Sequence, residues 1–349
     1  MTSQALRAPP AAVRPLRWLV SLRPVPTAQH TVADIRRRLQ LALAAIWLLD
    51  AMLQFQAFMF SKGFVRMLAA TGPGNPAVIA GPIHWASQLI GEHGTGANAA
   101  FALIQLAIGL GIAWRPTVRL ALAGSVAWAV AVWWFGEGLG GVLNGAASPA
   151  SGAPGAVIIY ALLAVLLWPA RTGTARTGTA RTGTPAPFAG SMATGVAAAR
   201  ALWLVLWGSL AYFALQPATA AAGALSSMVA AMAAGQPGWL ASTDTHLAAF
   251  LLHRGPGTAI ALAAVLAVIA IGIYLPEPAV RAVLGLAVLT AAAIWIAQGL
   301  GGILTGGGTD PNSGPLLALL ALAFWPQRAG GTAGSADSAV ASDGRSSAD

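Results

Sequence analysis

The stretch Trp134-Phe135-Gly136-Glu137-Gly138-Leu139-Gly140-Gly141-Val142-Leu143-Asn144-Gly145 decides the fold, because a near copy returns as Trp295-Ile296-Ala297-Gln298-Gly299-Leu300-Gly301-Gly302-Ile303-Leu304-Thr305-Gly306. The two are 161 residues apart, and the match extends at that offset to Pro154 and Pro315 on one side and to Gly124 and Gly285 on the other. Self-similarity over that distance reads as two copies of one unit.

Around the repeat the chain is strongly apolar. Of its 349 residues 57% are hydrophobic and only 8% charged, with a mean hydropathy of +0.70. That is more apolar surface than a water-soluble fold hides, so the composition indicates an integral membrane protein whose first partner is the lipid bilayer. The net charge of +9 would suggest nucleic acid in a soluble chain. Here the arginines fall in short segments between apolar runs and read as topology determinants, which argues against a nucleic-acid partner. With no cysteine, the chain has no disulfide, thiolate nucleophile, thiolate metal site or iron–sulfur cluster.

Eight apolar runs are candidate spans: Leu39 to Phe60, Ala97 to Trp114, Val118 to Phe135 and Ala153 to Trp168, then Ala199 to Gln216, Gly257 to Leu275, Ala279 to Ala297 and Gly314 to Trp325. The last run of each half falls short of the ~20 residues that cross a hydrocarbon core. The preceding glycine loop is therefore expected to supply backbone at membrane depth. Such backbone must face protein or a water-filled cavity, because an unpaired N–H or C=O against lipid costs several kcal/mol.

With the N-terminus inside, the outer segments hold only Lys62, Arg66 and Arg254 of the 19 Lys and Arg residues. This bias places both termini in the cytoplasm. An even number of spans per half makes the copies parallel, as two tandem four-helix repeats in an all-α polytopic fold.

The organisation then reads as a basic cytoplasmic tail over residues 1–35, a first membrane repeat over 36–169, and a second over 199–326. Between them, residues 170–198 form a flexible Arg/Thr/Gly linker, and residues 327–349 a disordered tail. The tail with Arg7, Arg14, Arg17 and Arg23 lacks the apolar core of a signal peptide. The outer segments Ser61 to Gly96 and Pro217 to Pro256 are expected to lie as short amphipathic helices across the outer face, for example Thr219 to Ala234 and Trp239 to His253.

Candidate polar residues are few. Asp50 sits within the first run with Gln54 and Gln56 close behind, and an ionisable group there costs at least ~2.5 kcal/mol, so it should face the protein interior. It reads either as a substrate, ion or proton site or as an interhelical hydrogen bond. Leu210 stands opposite Asp50 in the second half, so any such work belongs to one copy. Glu137 opens the first glycine loop and Gln298 the second; Glu137 reads as a relay group or, with more weight, as a cap for local N–H groups. The glycines Gly138, Gly140, Gly141, Gly299, Gly301 and Gly302 are kept in both copies and imply a shared backbone shape. Thr309-Asp310-Pro311-Asn312 reads as a turn. His84, His93, His246 and His253 with Met59, Met67, Met228 and Met232 crowd the outer side, a mix that suits copper, although their spacing forms no closed metal motif. The tryptophans at span ends read as an aromatic belt. No catalytic residue and no cofactor is assigned.

Three features carry a resemblance: an opening helix with Asp50, Gln54 and Gln56 running into Phe60-Ser61-Lys62-Gly63-Phe64, a second helix with Gly109 and Gly111 ending in Trp114-Arg115, and Arg119 opening a third. Each half in this respect resembles the four-helix DoxX-like membrane family. From Arg36 to Pro326 the chain is also similar to actinobacterial multi-span proteins that carry W-x-x-[EQ]-G-x-G-G followed by T-D-P-N-x-G. The DoxX likeness implies an accessory subunit of a quinone-linked or thiol-linked redox complex; the second likeness implies a bacterial origin and no activity.

The sequence reveals no reaction. Its leading reading is a non-enzymatic accessory or scaffold component of an inner-membrane complex, with other complex subunits as partners. A small-solute or ion transporter and a quinone-associated oxidoreductase subunit stand as alternatives.

Overall fold

A computed structural model describes residues 32–169 and 187–327. Residues 1–31 of the basic tail, 170–186 of the linker and 328–349 of the C-terminal tail lie outside the described residues, and the expectations for them with them. Among the described residues the chain is helical and has no strand.

The first half contains α1 (Val32–Leu53), α2 (Lys62–Ala69), α3 (Ala77–Ala113), α4 (Val118–Phe135) and α5 (Ala156–Leu166). The second contains α6 (Ser191–Thr194), α7 (Val196–Ala214), α8 (Pro217–Ala220), α9 (Ala224–Met232), α10 (Gly238–Leu252), α11 (Gly255–Gly272), α12 (Glu277–Ala297) and α13 (Ser313–Ala323). In the first half α1 packs on α3 and α4 on α5; in the second α7 packs on α11 and α12 on α13.

Four helical segments are long and apolar enough to cross a membrane: Ala77–Ala113, Arg115–Phe135, Val196–Ala214 and Glu277–Ala297. A fifth is added if α10 and α11, bent by 109° at their junction, count as one broken span. The eight expected spans thus reduce to four or five by length and composition. α1 carries Arg36, Arg37, Arg38 and Asp50, which removes it from a purely apolar definition. α5 and α13 have 11 residues each, about 16 Å at the α-helical rise, against a hydrocarbon core of about 30 Å. The outer surface of the long helices is apolar: Leu120 is 77% exposed and Leu289 70%. An apolar exterior of this kind fits embedding in lipid.

The outer segment of the first half holds α2 and the N-terminal part of α3. α3 is two helices in series, joined by a kink at His93, where φ is −124° and ψ 29°, and the second of them is the second expected span. Pro82 sits inside α3 and cannot donate to the carbonyl of Val78 one turn earlier. Trp134 Nε1 donates to that carbonyl instead, at 3.2 Å. At the 161-residue offset Thr95 becomes Pro256, which opens α11, and there the helix breaks into α10 and α11.

The expected linker over 170–198 also ends early. Phe188 is buried and stacks on Phe324 with centroids 4.9 Å apart, and Gly190 N donates to Ala323 O at 2.8 Å. An aromatic side chain in an otherwise Gly/Ala/Thr segment supplies enough apolar burial to pin residues 187–198 onto α13 and α7.

One core runs through both halves, from Leu43, Trp47 and Tyr160 to Trp203, Trp207, Leu320 and Phe324. The halves also exchange loops. Ser148, before α5, accepts from Thr219 of the second half at 2.8 Å, while Gln56, after α1, donates to the carbonyl of Gly308 at 3.2 Å. The segment preceding the last helix of each half therefore lies against the other half.

Candidate functional site

The two glycine loops have one backbone shape. Gly138, Leu139, Gly140 and Gly141 have φ of 57°, 55°, 64° and 73°; Gly299, Leu300, Gly301 and Gly302 have 57°, 53°, 72° and 69°. Left-handed backbone at Leu139 and Leu300 is strained for a branched side chain and persists only where surroundings impose it. The constraint at Gly140 is visible: a Cβ there would run into the carbonyl of Pro154. Gly138 and Gly299 are buried, and Gly140, Gly141 and Gly301 border a cavity, so the loops face the interior.

That cavity, about 860 Å³, lies in the first half. Its polar wall includes Asp50, Gln54 and Gln105, Glu137 from the loop after α4, and Asp310 from the second half. The rest is largely apolar and aromatic, with Phe64, Phe101, Trp128 and Phe135, and with the exposed Trp85 at its border.

The structure brings Asp50, Gln54 and Glu137 together and sets Gln56 and Gln298 apart from them. Asp50 is buried on α1, where Tyr160 of α5 donates to its Oδ2 at 2.5 Å while Oδ1 has no partner. Tyr160 is itself fully buried, its ring 4.4 Å from that of Trp47. Gln56 joins the halves through Gly308. Glu137 Oε1 accepts from Val157 N at 3.4 Å, in the first turn of α5. The N-cap of that helix is Gly155, which has no side chain, so Glu137 supplies the acceptor that a capping residue normally brings. Glu137 thus caps α5, twenty residues further on, and not the end of its own helix, and its Oε2 is left without a partner beside the cavity.

Two carboxyls lie in loops outside the helices. Burial pushes Glu137 up to about 8, Asp310 adds to the rise, and the N–H groups of Val157 and Ala156 oppose it. Asp310 is raised by burial as well, against hydrogen bonds from Asn312 N at 2.6 Å and from the Thr309 hydroxyl at 3.0 Å. Among the described residues no Lys, Arg or His borders the cavity.

In the second half the corresponding place is neutral. Gln298 is buried and donates to Ser313 Oγ at 3.0 Å and to the Pro149 carbonyl at 3.2 Å. At the 161-residue offset Glu137 matches Gln298, Asp310 matches Pro149 and Tyr160 matches Ala321, while in the first helix of each half, where the offset is 160, Leu210 stands for Asp50. A smaller cavity of about 320 Å³ remains there, bordered by Met228, Met232 and Gln298. Every ionisable group of the first site is absent from the second.

His84, His93, His246 and His253 are each exposed on helices or at a helix end. Among the described residues no three His, Asp or Glu side chains are gathered closely enough to hold a metal ion. Tyr160, Gln105 and Trp128 escaped the sequence reading, and Asp310 was read only as part of a turn. Tyr160 did carry a signal, as one of three tyrosines in the chain and the one polar side chain in α5.

Fold and site together define a helical protein with an apolar exterior and an acidic-floored, aromatic-walled cavity in one half. No protein-family model matches the chain, and neither a curated protein nor a solved structure matches it.

Proposed function

We propose that this chain is a multi-pass protein of the bacterial plasma membrane, with both termini cytoplasmic, that binds a small amphipathic solute in the cavity of its first half. The observation that carries this is the cavity itself: about 860 Å³ of space whose polar floor is Asp50, Gln54 and Glu137 and whose walls are aromatic. Interiors are ordinarily packed close to crystalline density, so a helix bundle with a purely structural role would fill that volume with side chains. Pockets of this size, mostly apolar with a few convergent polar groups, are the usual form of a small-molecule site.

The reading includes a tandem duplication into two four-helix units, with α1, the C-terminal part of α3, α4 and α5 answering to α7, α11, α12 and α13. The 161-residue offset, the matching φ values of the glycine loops and the matching helix pairs support it. The first unit keeps Asp50 and Glu137, whose counterparts Leu210 and Gln298 in the second are neutral, and the second unit serves as support. The accessory-subunit role suggested by the DoxX likeness fits the second unit. The cavity shifts the balance for the whole chain toward solute binding.

Native mass spectrometry of the full chain released from detergent tests the reading. The wild type should carry a bound small molecule that is lost in Ala131→Trp, which fills the cavity from α4. Retention of that molecule after filling, or a stabilised variant with no change in bound mass, refutes a ligand in this cavity.

A further inference from the structure

The chemistry left open in the cavity wall says what kind of molecule it takes. Of the buried polar atoms bordering it that lack a hydrogen-bond partner, four are oxygens, on Asp50, Gln54, Gln105 and Glu137, and one is a donor, Trp128 Nε1. Asp50, Gln54 and Gln105 are 2%, 4% and 8% exposed, so bulk water is not their partner. A buried acceptor without a donor costs ~1–3 kcal/mol, more when charged. Once ionised, the two carboxyls among them are completed by a ligand that brings positive charge.

The acids are too spread for one metal ion, as the absence of any three-ligand cluster among the described residues shows. Beyond them lie the rings of Phe64, Phe101, Trp128 and Phe135, whose faces attract cations when water is excluded. Trp85, Leu89 and Met67 at the border are 58%, 41% and 42% exposed, so the aromatic end reaches the apolar surface of α2 and α3. A molecule with a hydrophobic body can enter there from lipid.

We infer that the ligand is a monovalent organic cation with an apolar body, its charged head set between Asp50 and Glu137 and its body along the aromatic wall. This rests on the reading of the cavity as a solute site. The groups that face the head are Asp50 from α1, Tyr160 behind it from α5, Glu137 from the loop after α4 and Asp310 from the segment before α13. All are acidic or phenolic. Binding therefore exchanges a proton for the cation: a carboxyl O–H of the empty site releases its proton to solvent and the carboxylate faces the ligand. With Glu137 neutral until about pH 8 in the empty site, affinity should rise as pH rises toward that value.

The test uses the full chain in phosphatidylcholine nanodiscs and two probes of nearly equal shape and opposite charge, tetraphenylphosphonium and tetraphenylborate. Tetraphenylphosphonium should bind saturably, more tightly at pH 8.5 than at pH 6 (up to roughly a hundredfold across the interval for a full one-proton exchange), and tetraphenylborate should not. Asp50→Asn with Glu137→Gln should weaken the cation by roughly tenfold or more. Glu137→Gln alone repeats the residue of the second half and serves if the double variant misfolds; near-UV circular dichroism reports folding. Equal binding of both probes, or cation binding indifferent to pH and to these substitutions yet abolished by Ala131→Trp, overturns the cation preference and leaves the cavity as a site. If neither probe binds and no co-purified molecule is lost on filling the cavity, both readings fall.

Discussion

Asp50 and Tyr160 make a buried pair whose energetics can be separated by a double-mutant cycle. Tyr160→Phe keeps the ring against Trp47 and deletes only the hydroxyl, which leaves both oxygens of a carboxyl that is 2% exposed without a partner. The expected cost is ~1–3 kcal/mol, the range for a buried polar group stripped of its hydrogen bond. Asp50→Leu, which copies Leu210, removes the carboxyl and with it a burial penalty of at least ~2.5 kcal/mol, while orphaning one phenolic hydroxyl. The double variant removes both and leaves nothing unpaired. It should be at least as stable as the wild type, with a coupling of ~1–3 kcal/mol between the two positions. Thermal unfolding of the four proteins in one detergent, followed by tryptophan fluorescence, provides the measurement. If the effects add within ~0.5 kcal/mol, or if Tyr160→Phe is silent, the hydrogen bond does not hold the site together and the argument fails.

Two further expectations concern the first glycine loop. Gly140→Ala should be strongly destabilising, because left-handed backbone costs a non-glycine residue ~1–2 kcal/mol and the new methyl meets the Pro154 carbonyl, whereas Gly208→Ala in open space on α7 should be neutral or stabilising by ~0.5–1 kcal/mol; equal effects in the same melting assay would remove the constraint assigned to the loop. Glu137 has a folded pKa of about 8, above its unfolded value near ~4.3, so the stability it contributes is complete below ~4.3 and is lost as pH rises through about 8. Melting temperatures across that window should fall in the wild type and flatten in Glu137→Gln, and parallel profiles would contradict a buried neutral carboxyl.

Much of the architecture was legible because membrane helices are long-range averages of composition. The starts and ends of α4, α7 and α12 follow from where apolar residues begin and end, and the glycine loops announced a special backbone because only glycine tolerates it so often. Less legible was the course of α3 through Pro82, where an indole from α4 donates to the Val78 carbonyl that the proline leaves without its helical donor. Likewise Phe188 looks like part of a low-complexity linker until Phe324 is placed beside it.

The sequence by itself determined that this protein is apolar and helical, that a segment recurs at an offset of 161 residues, and that the counterparts of Asp50 and Glu137 are the neutral Leu210 and Gln298. These are properties of residue identity, and no contact is needed to read them. Only the tertiary structure decided that Asp310, on the far side of the chain, borders the same cavity as Asp50 and Glu137, and that Tyr160 holds Asp50. The reason is helix packing within the first half for Tyr160 and loop exchange between the halves for Asp310: both join positions more than a hundred residues apart, and a pairing at that distance leaves no trace in local spacing or periodicity.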